Sequence, residues 1–199
     1  MAKIITADYN LELEHPALDN MSDDEFFSFC VQNKNIRIER DENKQILIMA
    51  PAGDDSSAKN SKLNLELGLW NKKAKLGIVF DSSAGFYLAD NSMRNPDASW
   101  ISNERWNQIG KEERKKFAYL APDLIVELMS SSDRLKPAKD KMEKWIKNGV
   151  FLAWLIDPEN EAVYIYKTAC TIEQVNGFDK KLSGEDVLTG FELDLSVLK

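Results

Sequence analysis

Between positions 120 and 157 the chain reads LAPDLIVELMSSSDRLKPAKDKMEKWIKNGVFLAWLID. Two apolar runs flank a basic stretch whose apolar residues recur at helical spacing. If extended, 123–129 places Ile125, Glu127 and Met129 on one face and Leu124, Val126 and Leu128 on the other, which predicts a buried strand. The second run, 151–156, is apolar throughout and predicts another strand. Between them Ala138, Met142, Trp145 and Ile146 share a helical stripe, with Pro137 suited to the first turn and Gly149 to the stop. Strand, helix and strand in this order predict a right-handed crossover joining two parallel neighbours of one sheet.

The rest of the pattern is more broken. Residues 1–21 read as an irregular arm. Ser22-Asp23-Asp24-Glu25 is a capping box ahead of a short helix carrying Phe26, Phe29 and Cys30. Residues 37–49 read as a hairpin with a polar turn at 41–44. A helix is expected over 57–75, with Leu63, Leu67 and Trp70 on one face and Gly77 as its stop. Strands are expected at 78–80 and 85–88 and from Pro96 onward, where a proline suits the first strand position. The polar segment 103–116 predicts two short helical turns in an exposed insertion. A hairpin through 157–160 leads to 162–166, and the last thirty residues read as short strands and turns.

The chain has 199 residues, 43% of them hydrophobic and 30% charged. That suits one soluble domain over 22–199 behind the 1–21 arm. No apolar run approaches the roughly 18 residues of a membrane span, and the first residues lack a signal-peptide core, so the expected location is cytoplasmic. One histidine, His15, and two cysteines, Cys30 and Cys170, exclude multi-histidine metal sites and a disulfide framework. A net charge of −7 argues against broad nonspecific affinity for nucleic acid. Positions 134–147 differ from that average, with six basic and two acidic residues, a surplus that suits phosphate contacts.

Three residues are candidates for chemistry. Glu127 is a carboxylate in an apolar strand, a costly placement unless a cation or hydrogen bonds compensate it. Asp97 enters a strand with apolar neighbours following. Two carboxylates on neighbouring strands can hold a hard divalent cation such as Mg²⁺. Lys141 lies at the edge of the helical stripe, one turn before Trp145, from where an ammonium can reach the acids and stabilise developing charge. Taken singly, each has a plainer explanation. Glu127 fits an edge residue or a structural ion pair, Asp97 a turn residue, Lys141 a solvated side chain and Trp145 the core.

In combination the segments RNPDASW, APDLIVELMSSSDRLK and KMEKWIKNGVFLAWLIDP resemble the Uma-two family of restriction-endonuclease-like proteins, within the PD-(D/E)XK nuclease superfamily. The likeness extends through IRIERDENKQILIMAPAGDD, AKNSKLNLELGLWN and LGIVFDSSAGFYL and covers roughly residues 22–167. It implies an α/β (α+β) restriction-endonuclease-like core, a mixed central sheet flanked by helices. It also implies that Asp97 and Glu127 are the metal-binding acids. The superfamily lysine two residues after the glutamate is Met129 here, and in this family it is relocated to the following helix, where Lys141 matches. Two departures stand out. Relatives carry a proline after the first serine of the segment that is Ser130-Ser131-Ser132-Asp133 here. They also tend to have a glutamate in the first core helix where this chain has Lys62, with Glu66 one turn later as a possible additional acid.

The expected function is therefore a Mg²⁺- or Mn²⁺-dependent endonuclease hydrolysing phosphodiester bonds in DNA, assembled as a homodimer and with no membrane partner. The alternative is a catalytically inactive nuclease-like module that binds DNA or a protein partner.

Overall fold

A computed structural model of the chain describes residues 21–49, 51–168 and 171–199 and the backbone of Ile5–Thr6. The arm expected over 1–21, with His15, and Cys170 lie outside the described residues, save that short strand and Met21. In chain order the elements are β1 (Ile5–Thr6), α1 (Asp23–Gln32), β2 (Arg37–Arg40), β3 (Ile46–Met49), α2 (Asp54–Ala74) and β4 (Gly77–Asp81). Then come β5 (Phe86–Tyr87), β6 (Met93–Arg94), β7 (Ala98–Ser102), α3 (Asn103–Trp106), a 3₁₀ turn (Glu113–Lys115), β8 (Leu124–Leu128) and α4 (Leu135–Lys147). The chain closes with β9 (Leu152–Asp157), β10 (Ala162–Lys167), β11 (Ile172–Asn176), β12 (Lys181–Ser183), β13 (Glu192–Asp194) and a 3₁₀ turn (Leu195–Leu198). These divide into two compact units.

The first unit comprises Met1–Pro51, Ser83–Asn95 and Gly110–Leu120. Its sheet runs β1-β3-β2-β6-β5, with the expected β2–β3 hairpin antiparallel at its centre. The Ser22 capping box is formed as the sequence predicts: Ser22 Oγ accepts from the Glu25 N–H, and Glu25 accepts from the Ser22 N–H at 2.8 Å. Phe26, Ile38, Ile46, Tyr87 and Met93 form the core of the unit. The Arg40 guanidinium is buried in it, 4.7 Å from the Phe26 ring centre and 5.5 Å from that of Tyr87, and pairs with Asp23. A buried pair joins Glu39 to Arg94 at 3.1 Å, and Glu39 also accepts the Asn95 N–H at 3.0 Å.

The second unit comprises Ala52–Ser82, Pro96–Ile109 and Ala121–Lys199. Its sheet runs β11-β10-β9-β8-β7-β4, parallel only at β8–β9 and antiparallel elsewhere. It is thus a mixed central sheet, with α4 forming the β8–β9 crossover. One face, with Trp100, Val126, Trp154 and Ile165, is covered by Leu63 and Leu67 of α2 and by Phe178, Leu188, Phe191 and Leu195. The last thirty residues are therefore a lid on the sheet core rather than an appendage. α4 packs on β9 and β10, burying Met142 and Trp145.

Helix α2 begins three residues before its expected start. Gly53 caps it, and Asp54 and Asp55 occupy the first turn, where the positive end of the helix dipole favours carboxylates. Asn71 near its other end accepts from the Trp100 indole at 2.9 Å and donates to the Gly77 carbonyl at 2.8 Å. Gly77 is required there, because a Cβ would collide with the Ile101 carbonyl and the Trp100 ring. Of the segment expected as an exposed insertion, Arg105 is in fact tied inward. It pairs with Asp123, which is 2% exposed, and its guanidinium lies 4.9 Å from the Phe151 ring centre.

Candidate active site

The β8 strand is buried at every position except Glu127, which is partly exposed. It lies between β7 and β9, so Glu127 is not an edge residue. Its burial is compensated from α4. Lys141 Nζ lies 2.9 Å from Glu127 Oε1, and the Trp145 indole N–H donates to the same oxygen at 3.0 Å. Positions 141 and 145 are one helical turn apart, so both side chains leave α4 in the same direction. The carboxylate is 12% exposed and the lysine 24%, a half-open position that water and small ions can reach.

Asp97 sits one residue before β7, after Pro96. Its N–H donates to the Val126 carbonyl at 3.1 Å, and its Oδ2 accepts the Leu128 N–H at 2.8 Å. Those peptide groups flank Glu127 on both sides. Asp97 is thus fastened to the neighbouring strand at the position of Glu127, although it is thirty positions away in sequence. From α2, the Asn64 side-chain amide donates to the Asp97 carbonyl at 3.2 Å and to the Asn60 carbonyl at 3.1 Å.

Of the other residues singled out from sequence, Glu66 is half-buried on α2. Among the described residues no group of three or more His, Cys, Asp or Glu side chains is placed to hold a metal ion, so Glu66 does not complete a three-acid cluster. Lys62 reaches the Lys199 carbonyl at 3.4 Å. Lys139 stacks over the Tyr164 ring, 3.8 Å from its centre, whereas Arg134, Lys136, Lys144 and Lys147 are exposed. The Ser130–Asp133 turn closes on Asp133 Oδ2, which accepts from the Ser130 N–H at 2.7 Å and its hydroxyl at 2.9 Å. That turn needs no proline.

The donor set suits a hard cation. Two ionisable carboxylates stand on neighbouring strands, and the lysine against Glu127 marks a position where positive charge is stabilised. The Asn64 amide oxygen is buried with no hydrogen-bond partner among the described residues, a further neutral oxygen on a residue bonded to Asp97. Sequence reasoning missed two parts of this arrangement: Trp145 as a donor to Glu127, and Asn64 as a clamp on Asp97. Helical spacing puts Trp145 on the side of α4 that carries Lys141, but nothing in the sequence pairs either donor with its acceptor, because each bond crosses between elements.

Residues 23–196 match the Uma2 family, described as "Putative restriction endonuclease". Among solved structures the chain is similar to "a putative nuclease belonging to DUF820 from Anabaena variabilis ATCC 29413", with a TM-score of 0.68 at 21% identity. The likeness covers 81% of this chain and 88% of that one, and at such identity it speaks for the fold. No curated protein matches the sequence. Among the described residues no helix is long and apolar enough to cross a membrane.

Proposed function

Because the chain belongs to the Uma2 family of restriction-endonuclease-like proteins, we propose that it is a divalent-metal-dependent nuclease hydrolysing phosphodiester bonds in DNA. Its reacting centre is Asp97, Glu127 and Lys141. The observation that carries this reading is the convergence on one strand position. Asp97 is bonded to the peptides flanking Glu127, and Lys141 and Trp145 meet the Glu127 carboxylate from α4.

Asp97 and Glu127 would hold Mg²⁺ or Mn²⁺, and such an ion, when bound, supplies Lewis-acid charge and lowers the pKa of water at the site. The chain's own residues do the rest. Asp97 is held rigid by hydrogen bonds to β8, so its carboxylate does not reorganise when phosphate arrives. Lys141 carries three donors on a flexible stem. From its place beside Glu127 the ammonium orients the attacking water and stabilises the negative charge that develops on the phosphoryl oxygens. The exposed Arg134 and Lys136, at the start of the helix that carries Lys141, would supply positive charge for backbone phosphates. A homodimer would let one centre act on each strand of a duplex.

One observation favours a second reading, a binding module without catalysis. Glu127 Oε1 already accepts two donors, and the described residues offer two acids rather than three. Thermal unfolding with and without Mg²⁺, run beside DNA cleavage, separates the two. Stabilisation by metal together with cleavage supports the nuclease. Stabilisation without cleavage of any DNA form supports the binding module.

A further inference from the structure

We infer that Trp145 is a positioning residue for the acid pair. Its indole N–H commits one Glu127 oxygen to α4 and so fixes the carboxylate in a single orientation for an incoming divalent cation. The inference rests on the reading of Asp97 and Glu127 as a metal centre.

The two donors on Glu127 Oε1 differ in kind. Lys141 is 24% exposed on a four-carbon stem and can leave for water or phosphate. Trp145 is 1% exposed and, like Met142, buried on the inner face of α4, so its ring cannot turn without opening the α4 packing. An indole has one donor and no acceptor, and a buried donor seeks a partner. That partner is Glu127, at 3.0 Å. A partly exposed glutamate without such a bond samples several rotamers. A glutamate whose oxygen is tied to an immobile ring samples one. When a cation draws the carboxylate's charge, the lysine exchanges and the indole stays. Partners of this kind behind a metal ligand are typically worth about 10–100-fold in metal affinity.

The fold supplies its own control. Trp154 is equally buried, on β9, yet its indole N–H has no hydrogen-bond partner among the described residues. Trp145→Phe and Trp154→Phe therefore make the same change in ring size in the same unit, and only the first removes a bond to Glu127.

The test is calorimetric titration of the full chain with Mn²⁺, comparing the unaltered protein with W145F and W154F. The expected result is a Kd raised about 10–100-fold in W145F and essentially unchanged in W154F. Equal affinity in W145F and the unaltered protein overturns the inference alone. Equal weakening in both variants makes the effect one of packing and also overturns it. If the unaltered protein binds no ion, this inference and the proposed function fall together. A second readout does not depend on W145F folding. In ¹⁵N spectra of the unaltered protein the Trp145 indole resonance should move on Mg²⁺ addition and, without metal, in E127Q. An indole resonance indifferent to both changes refutes the positioning role.

Discussion

The bond between Lys141 and Glu127 makes a quantitative prediction. At 2.9 Å the gross attraction is about 6 kcal/mol for an effective dielectric constant of ~20. Both side chains retain some exposure, so water and salt screen it, and a charge-assisted hydrogen bond in such a setting contributes a net of about 2 kcal/mol. Lys141→Met removes the charge and keeps the stem. Glu127→Gln keeps the shape and an acceptor for the Trp145 indole. A cycle of the two single variants and the double variant, followed by urea unfolding, should give a coupling energy of about 2 kcal/mol. For a typical m-value that corresponds to a midpoint shift on the order of 1 M. The same cycle in saturating Mg²⁺ should give a smaller coupling, because the metal replaces the ammonium as counter-charge. A coupling below about 0.5 kcal/mol, the level of an exposed surface pair, refutes the claim that Lys141 compensates a partly buried acid. A coupling unchanged by Mg²⁺ refutes the claim that Glu127 is also the metal's ligand.

Other perturbations read other parts of the structure. Asp123→Ala strands Arg105 beside a hydrophobic ring and leaves the Ser102 N–H without its acceptor; it should cost about 3 kcal/mol in chemical denaturation. Asn71→Ala leaves the buried Trp100 indole unpaired and should cost about 2 kcal/mol. Burial raises the pKa of Asp23, but hydrogen bonds from Tyr119 and Arg40 outweigh it and hold the carboxyl below its ordinary range. Its contribution is therefore present above the ordinary carboxylate range and is lost as the pH falls through the lowered value. Asp23→Asn should flatten the acid limb of a plot of Tm against pH. Burial pushes the Cys30 thiol up to about 11, so it should react far more slowly with a disulfide reagent at pH 8 than the same cysteine does in urea.

The parts of the fold that were legible in sequence are those whose pattern is local. The continuous apolar run of β9 and the helical stripe of α4 reflect a parallel strand and its crossover, and the Ser22 box names its own helix start. The helix periodicity also puts Lys141 and Trp145 on one side of α4, which is why both reach the same carboxylate. What stayed hidden depends on partners far away along the chain. Phe178, Leu188, Phe191 and Leu195 are spaced by turns, with no period to reveal that they cover the central sheet. Arg105 sits in a polar stretch whose composition suggests exposure, and its buried partner Asp123 is eighteen positions on. Asn64 resembles any polar helix residue until α2 is laid against β7. Lys139 reads as a solvated cation, but Tyr164 of β10 lies beneath it.

If Asp97 and Glu127 form a metal-dependent phosphodiesterase centre, the decisive observation is cleavage of supercoiled, linear and single-stranded DNA. The unaltered protein should cut DNA in Mg²⁺ or Mn²⁺ and not in a chelator. Asp97→Asn and Glu127→Gln should each abolish cutting while their circular-dichroism spectra match the parent. Cutting that survives in both variants, or no cutting of any DNA form by the folded parent in either metal, rules out Asp97 and Glu127 as a nuclease centre.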